Sequence, residues 1–440
     1  MNYQESNPAI AVLKFDDRNR YGPHGIPSMI LLGDNSRTWV VNCKRPTKVN
    51  CWAKVNIVDS ENRRADLIEI LGPVGDYATE LKALQLHFKI LPCKYPEYDK
   101  SVNLPLDHHV EDCTSLHVFS VDDASTIDVD DAISLTNLDE TNAFYLLGIH
   151  ITNAAHRIPL DSELMKWAER RGASAYSGGF GQVPPRSVPM LPPLLSHEEL
   201  SLKQDVPRYA LTLWLTIEKA QDGSYLVINQ RHSSTLIINK LKTTYEHFQN
   251  VTDDLNLVQC RNLLQNLSNT SDSHEWIAWC MIQYNNYFGK ILASTCKHGL
   301  LRSQDRVDNS AVYVEATFPN PRHESLNLDF YAHCSSPIRR FSDLLNQHVI
   351  LYGAKPTIDL GLYNERCTMI KHYHAHTDTM TLAYECRSQL LVVESMVELD
   401  EDGQSLLVHI PNRRRVRVPL RDNYFVEPIV DTLNEAIKAG

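Results

Sequence analysis

No apolar run in the 440 residues approaches the roughly 20 needed to cross a bilayer as a helix, so no membrane partner is expected. The first ten residues, MNYQESNPAI, lack the basic start and apolar stretch of a signal peptide, and the expected location is intracellular, cytoplasmic with the nucleus left open. Ten cysteines occur, but none forms a CxxC pair, which speaks against a disulfide frame or a zinc site and for reduced thiols. Internal repeats and low-complexity tracts are missing as well. Net positive charge is also lacking: 43 Lys and Arg against 54 Asp and Glu leave −11. That total does not exclude nucleic acid, because an acidic chain can carry a basic channel and carboxylates that hold metal add negative charge locally. Basic clusters do occur at Arg170-Arg171, Arg339-Arg340 and Arg413-Arg414-Arg415.

What is present is an ordinary globular composition, 43% hydrophobic and 22% charged, in a chain longer than one core normally organises. Residues 1–105 mix β-type runs such as ILLGDNSRTWVVNC and KVNCWAKVNIV with Gly, Asp and Asn turns, which predicts a small antiparallel barrel closed by the helix TELKALQLHF. Residues 106–390 place strand-like stretches (DDAISL, FYLLGIHI, YALTLWLTI) before long helical patterns at 160–176, 272–296, 336–352 and 363–397. That order predicts an α+β domain. Residues 391–440 contain SLLVHIPNRRRVRVPL, whose alternation on both sides of Pro-Asn predicts a β-hairpin in a reduced β domain.

The segment FSVDDASTIDVDDAISL carries Asp122, Asp123, Asp128, Asp130 and Asp131 between an apolar approach and an apolar exit. Like charges packed so closely disfavour folding, whereas a divalent cation turns them into a ligand set; two ions ~4 Å apart could clamp both oxygens of a phosphodiester exchange. A calcium loop fails on spacing, since Ile133 stands where its turn needs Gly and Asp139 where it needs Glu. Side chains alternate along a strand, so Asp128, Asp130 and Asp131 converge only if the backbone there is irregular.

In YAHCSSPIRRFSDLLNQHVIL, Ser336 reads as an N-cap, Pro337 as the first helical residue, and Ile338, Phe341 and Leu345 as the apolar stripe. Arg339 and Arg340 then fall in the first turn, against the helix dipole, an arrangement suited to an anion; hydration or pairing with Asp343 is the alternative.

Together the two segments resemble the RNase II/RNase R (RNB) family, whose signature is an Asp followed six, eight and nine positions later by three more, here Asp122, Asp128, Asp130 and Asp131. SSPIRRFSDLL resembles the second signature, and LGIHITNAAHRIP, RRGASAY, VPMLPPLLS, KLKTTYEHFQ and GLLRSQ follow in family order. ILGPVGDYATELKALQLHFKI is similar to the end of a cold-shock barrel, and the whole is similar in flavour to the catalytic subunit of the eukaryotic exosome. The resemblance implies a central RNB catalytic domain flanked by small OB/cold-shock-like barrels. It also implies a hydrolytic 3′→5′ exoribonuclease that requires Mg²⁺, with Mn²⁺ as a substitute, acts on single-stranded RNA, and has an RNA-decay complex as a further candidate partner. Carried over residue by residue, Asp122, Asp128, Asp130 and Asp131 would hold metal and Arg339 would stabilise the scissile phosphate. Tyr176 would stack on the terminal base, while Arg340, Arg302, Ser336 and Glu385 would contact or support RNA.

Departures are visible: Gln347-His348 stands where the family often has His-Arg, Gln304 where His is frequent, and SGGFGQVPPRS lengthens the loop after Tyr176. The rival reading is a catalytically silent RNA-binding or scaffolding protein that keeps the fold. His372, His374 and His376 are read as surface histidines, and Trp276 and Trp279 as core.

Overall fold

The computed structural model describes residues 8–15, 28–43, 48–99, 103–105, 110–305 and 310–388, with three short strands beyond them. Arg413-Arg414-Arg415 lie outside the described residues.

Five strands form the first element group: β1 (Pro8–Lys14), β2 (Ser28–Leu31), β3 (Asp34–Asn42), β4 (Cys51–Asp59) and β5 (Arg64–Pro73). Cys51, Ala53 and Val55 alternate inward along β4, the period of two that puts one face of a strand in a core. They meet Leu13, Met29, Trp39 and Val41. The strands close in the order β1-β2-β3-β5-β4, so the predicted barrel is present. One pairing corrects its antiparallel description: β3 runs parallel to β5, with Val40 opposite Arg64. Helix α1 (Tyr77–His87) is capped by Asp76, whose carboxylate accepts the Thr79 N–H at 2.9 Å.

The central sheet uses β6 (Glu111–Asp112), β7 (Val118–Asp122), β8 (Asp131–Asn137) and β9 (Phe144–Thr152), then, after α2 (Glu163–Arg171), β10 (Ala175–Ser177) and β11 (Arg186–Val188), the long β12 (Pro207–Lys219) and β13 (Tyr225–Thr244). Its order is β12-β9-β8-β7-β13-β6, and an added β12–β13 pairing closes it into a ring. β13 pairs antiparallel with β12 up to Ile238 and parallel with β7 from Asn239 to Thr244. Helices α3 (Tyr245–Asn250), α4 (Leu255–Ser268) and α5 (Ser273–Ile291) follow, started by Thr244, Asp254 and Asp272 as N-caps. Phe248, Leu257, Leu264, Trp276 and Phe288 from these helices pack on Leu147, Ile149, Leu211 and Leu213 of the sheet. Trp276 is buried and Trp279 packs at the edge of this core, as expected.

Ser134, His150, Thr212 and Thr235 form a buried hydrogen-bonded row across β8, β9, β12 and β13. Burial depresses the His150 pKa to about 3, so the imidazole is neutral and can both donate and accept in the row. Gly148 faces this row, and a Cβ there would come within 2.7 Å of Ser134 Oγ and Trp214.

β14 (Leu300–Gln304) and β15 (Ala311–Glu315) form a hairpin, followed by α6 (Phe341–Tyr352) and α7 (Leu360–Ser388). The predicted C-terminal hairpin is present as β17 (Ser405–Val408) and β18 (Val416–Pro419), joined by β16 (Val397–Leu399). Two helical expectations need correction. The pattern at 160–176 ends at Arg171, where Gly172 (φ 77) stops the helix. The helix expected from Ser336 starts at Phe341, with Arg340 in extended conformation (φ −132, ψ 128) as its N-cap residue. Arg340 forms a β-bridge with Ala173, and the Phe341 N–H donates to Gly172 O at 2.9 Å. Those bridges satisfy backbone groups that local capping by Ser336 would otherwise have to serve.

By contacts the chain forms two compact units, Met1–Leu91 with Ala175–Ser187 and Met369–Gly440, and Pro92–Ser174 with Val188–Thr368. No helix among the described residues is long and apolar enough to cross a membrane.

Gly148→Ala should lower folding stability by about 1–3 kcal/mol, the usual cost of overpacking a closed core, read as a shift of the urea midpoint. An unchanged midpoint would mean that the polar row tolerates a methyl group.

Candidate active site

β7 ends at Asp122 and β8 begins at Asp131, so Asp123–Asp130 is a loop with the irregular backbone that convergence requires. Buried Ser201 holds this loop: its hydroxyl accepts the Val129 N–H at 3.0 Å and donates to Ile127 O at 2.9 Å. The Leu202 N–H donates to Val129 O and the Thr152 N–H to Asp130 O, both at 2.9 Å. Lys242 donates its ammonium to Thr126 O.

Asp130 is 2% exposed, and both its oxygens are engaged. Oδ1 accepts the Ile338 N–H at 2.9 Å and Oδ2 accepts Arg339 Nε at 3.0 Å. Asp122 Oδ2 is buried without a hydrogen-bond partner. Burial is the largest cause raising all three carboxyls: Asp122 to about 6, Asp130 to about 7 and Asp131 to about 8. For Asp131 the charges of Asp122 and Asp130 add to it, while Arg339 opposes it in all three. Three acids held toward neutrality beside an orphaned oxygen supply the hard-oxygen chemistry that a divalent cation takes, and Asp122 and Asp131 are the two with capacity left. Among the described residues no three His, Cys, Asp or Glu side chains are gathered closely enough to hold an ion as they stand.

Ser336–Arg340 is a turn, closed by the Arg340 N–H donating to Ser336 O at 3.0 Å. It presents consecutive arginines to different partners. Arg339 faces Asp130, while Arg340 binds Asp343 through Nη2 at 2.8 Å and Nε at 3.2 Å. Asp343 is fully buried and also accepts the Ser336 N–H at 2.8 Å and Ser342 Oγ at 2.9 Å. Arg339 thus stands before the helix, and the expected conflict with the helix dipole does not arise; the Asp343 pairing holds for Arg340. Ser336 is 2% exposed.

Arg302 lies over the Tyr313 ring at 4.5 Å, and the Tyr313 hydroxyl is 2.6 Å from His333 Nδ1 and accepts from Ser342 Oγ at 3.1 Å. Tyr176 and Glu385 belong to the other compact unit. There the Tyr176 N–H donates to His374 Nε2 at 3.0 Å, and Glu385 lies near Tyr77. His376 Nδ1 is bonded to His372 O within its own helix.

Sequence reasoning missed Ser201, Lys242 and Tyr245. The first two act on loop backbone and leave no spacing signal. Thr244 pairs in register with Asp122, which brings Tyr245 beside the carboxylates, although KLKTTYEHFQ gave no hint of that contact. Gln347, which breaks the family pattern, is buried and bridges strand to helix: it accepts the Ala154 N–H at 3.0 Å and donates to Thr152 O at 2.7 Å.

A closed five-stranded barrel and an α+β body with buried carboxylates beside an arginine are the features to set against known proteins. Residues 110–273 match the RNB domain, as the resemblance implied. The chain is similar to Ribonuclease R of Chlamydia muridarum, 29% identical over 226 residues, which is 49% of this chain and 30% of that relative's length. In fold it matches Mycoplasma genitalium RNase R in complex with ribose-methylated single-stranded RNA (TM-score 0.69, 15% identity, 94% of this chain and 81% of that one). It equally matches yeast Ssd1, a pseudonuclease (TM-score 0.70, 14% identity, 95% and 66%).

Removing the Asp343 carboxylate leaves the Arg340 guanidinium without its buried partner. Asp343→Ala should therefore cost about 3–5 kcal/mol of stability, whereas the apolar pair Arg340→Met with Asp343→Leu should recover most of it. Urea titration followed by circular dichroism measures both; a single variant within 1 kcal/mol of the parent, roughly the value of an exposed pair, would show that solvent screens the contact.

Proposed function

We propose that the chain is a hydrolytic 3′→5′ exoribonuclease that degrades single-stranded RNA to 5′-mononucleotides with divalent metal, Mg²⁺ first and Mn²⁺ as a substitute. The observation that carries this reading is the convergence of Asp122, Asp130 and Asp131 on Arg339 within an RNB-type body. Asp122 and Asp131 would hold the metal, with Asp128 and Asp130 completing the carboxylate set. The chemistry supplied by a divalent ion there is activation of water and neutralisation of charge on the phosphodiester. Arg339 is part-exposed and holds Asp130 through Nε, and a guanidinium fork is the group suited to phosphate oxygens. Arg340 supports by fixing the turn, Arg302 and Ser336 line the same network, and Tyr176 and Glu385 would contact RNA. Cytoplasmic residence and an RNA-decay complex belong to the same proposal.

A second reading has its own support. Both Asp130 oxygens are taken by Arg339 and Ile338, and a pseudonuclease shares the fold, so a catalytically silent RNA binder is the alternative. Incubation with 5′-labelled poly(A) and Mg²⁺ separates them. Shortening from the 3′ end, abolished by EDTA and by Asp130→Asn, with circular RNA left intact, is the expected outcome. Binding without turnover would select the silent reading, and cleavage of the circle would reject exonucleolytic action.

Arg339→Ala should lower kcat by roughly 10²- to 10³-fold with RNA affinity within a few fold, as loss of a preorganised donor to transition-state charge does. Lysine should rescue poorly, because an ammonium cannot replace a planar fork that spans carboxylate and phosphate. Equal losses in affinity and turnover would reduce Arg339 to a backbone anchor.

A further inference from the structure

Among the described residues one ring pair lies face to face: Tyr245 and His274, with centroids 3.9 Å apart and planes 13° apart. Tyr245 opens α3 directly after Thr244, the register partner of Asp122 on the parallel strand. Its phenol pKa is raised, by burial first and then by the charges of Asp131, Asp122 and Asp123, which places the ring at the carboxylate cluster. His274 is held from its far side. Its backbone N–H donates to Asp272 Oδ1 at 2.9 Å, and its Nδ1 lies 3.1 Å from the same oxygen. Asp272 is in turn the N-cap of α5, so the imidazole plane is set by a helix terminus rather than by a flexible side chain alone. The His274 side chain is 63% exposed, so core packing does not account for its flat stacking.

We propose that His274 is a positioning residue: stacked on Tyr245 and aligned by Asp272, it fixes the tyrosine ring beside the carboxylates against which RNA is cut. The proposal rests on the exonuclease reading above. Stacking of two flat rings removes the swing about the Tyr245 side-chain bonds, and a group at a reacting centre loses efficiency steeply when it is free to move. Any flat ring at position 274 should serve, since the contact is face to face and not a hydrogen bond.

The experiment compares the parent with His274→Ala, His274→Phe, Tyr245→Ala and the Tyr245→Ala/His274→Ala double variant, all as the full chain. Turnover of single-stranded poly(A) in Mg²⁺ is measured with affinity for a labelled oligoribonucleotide in EDTA. His274→Ala should lower kcat about tenfold, the scale of a modest misplacement, with metal-free affinity within about twofold. His274→Phe should restore kcat, and the double variant should be no slower than Tyr245→Ala, because nothing is left to position. A phenylalanine as poor as alanine, or additive losses in the double variant, overturns the proposal. A parent with no turnover rejects the exonuclease reading instead. The pairing is then decided by melting temperatures of the same variants: a double loss smaller than the sum of the single losses supports the stack, and an additive loss overturns it.

Discussion

Buried negative charge is the constraint around which the rest of this body is arranged. Asp122, Asp130 and Asp131 sit where burial first and neighbouring carboxylates second raise every one of their pKa values, and isolated burial of a carboxylate is among the costliest things a fold can do. Arg339 is the cation that all three feel, and at Asp122 Lys242 acts ahead of it. Arg340 next to it points elsewhere, into Asp343 of α6. Arg339 lies in the turn and Arg340 leaves it in extended conformation, so the two side chains reach different partners. Two adjacent arginines thus connect the aspartate loop to α6.

The position of the cluster follows from how β13 is used. Its first half is an antiparallel partner of β12, and its last residues run parallel to β7, so the carboxyl ends of β7 and β13 lie side by side. Loops leaving the carboxyl ends of parallel strands are where open α/β sheets place ligands, because such loops are free of the ladder yet rigidly based. Here the loop from β7 brings the aspartates and the continuation of β13 brings Tyr245. Ser201, Thr152 and Lys242 then pin the loop backbone, so little of its shape is left to the acidic side chains themselves.

Much of this could be read from the sequence. Alternating burial in β4 and the apolar runs of β9 and β12 gave the barrel and the central sheet, because period-two patterning is local and survives any tertiary context. The density of Asp122, Asp128, Asp130 and Asp131 pointed to this segment, and side-chain alternation required the irregular loop found between β7 and β8. The helix start at Ser336 was misread for an instructive reason: Ser-Pro is a good local beginning, yet the backbone of residues 172–174 competes for the same groups and wins.

Sequence alone therefore determined the strands, the barrel, the helical segments and the identity of the acidic and basic residues at the site, since each depends on the period or chemistry of neighbouring positions. Only the tertiary structure decided which arginine meets Asp130, that Asp343 holds the other, that Asp122 keeps an unpartnered oxygen, and that Tyr245 and His274 lie flat against each other. These pairings join positions tens to hundreds of residues apart, or depend on which way the backbone turns between neighbours. Neither is fixed until the sheet closes and sets the distances.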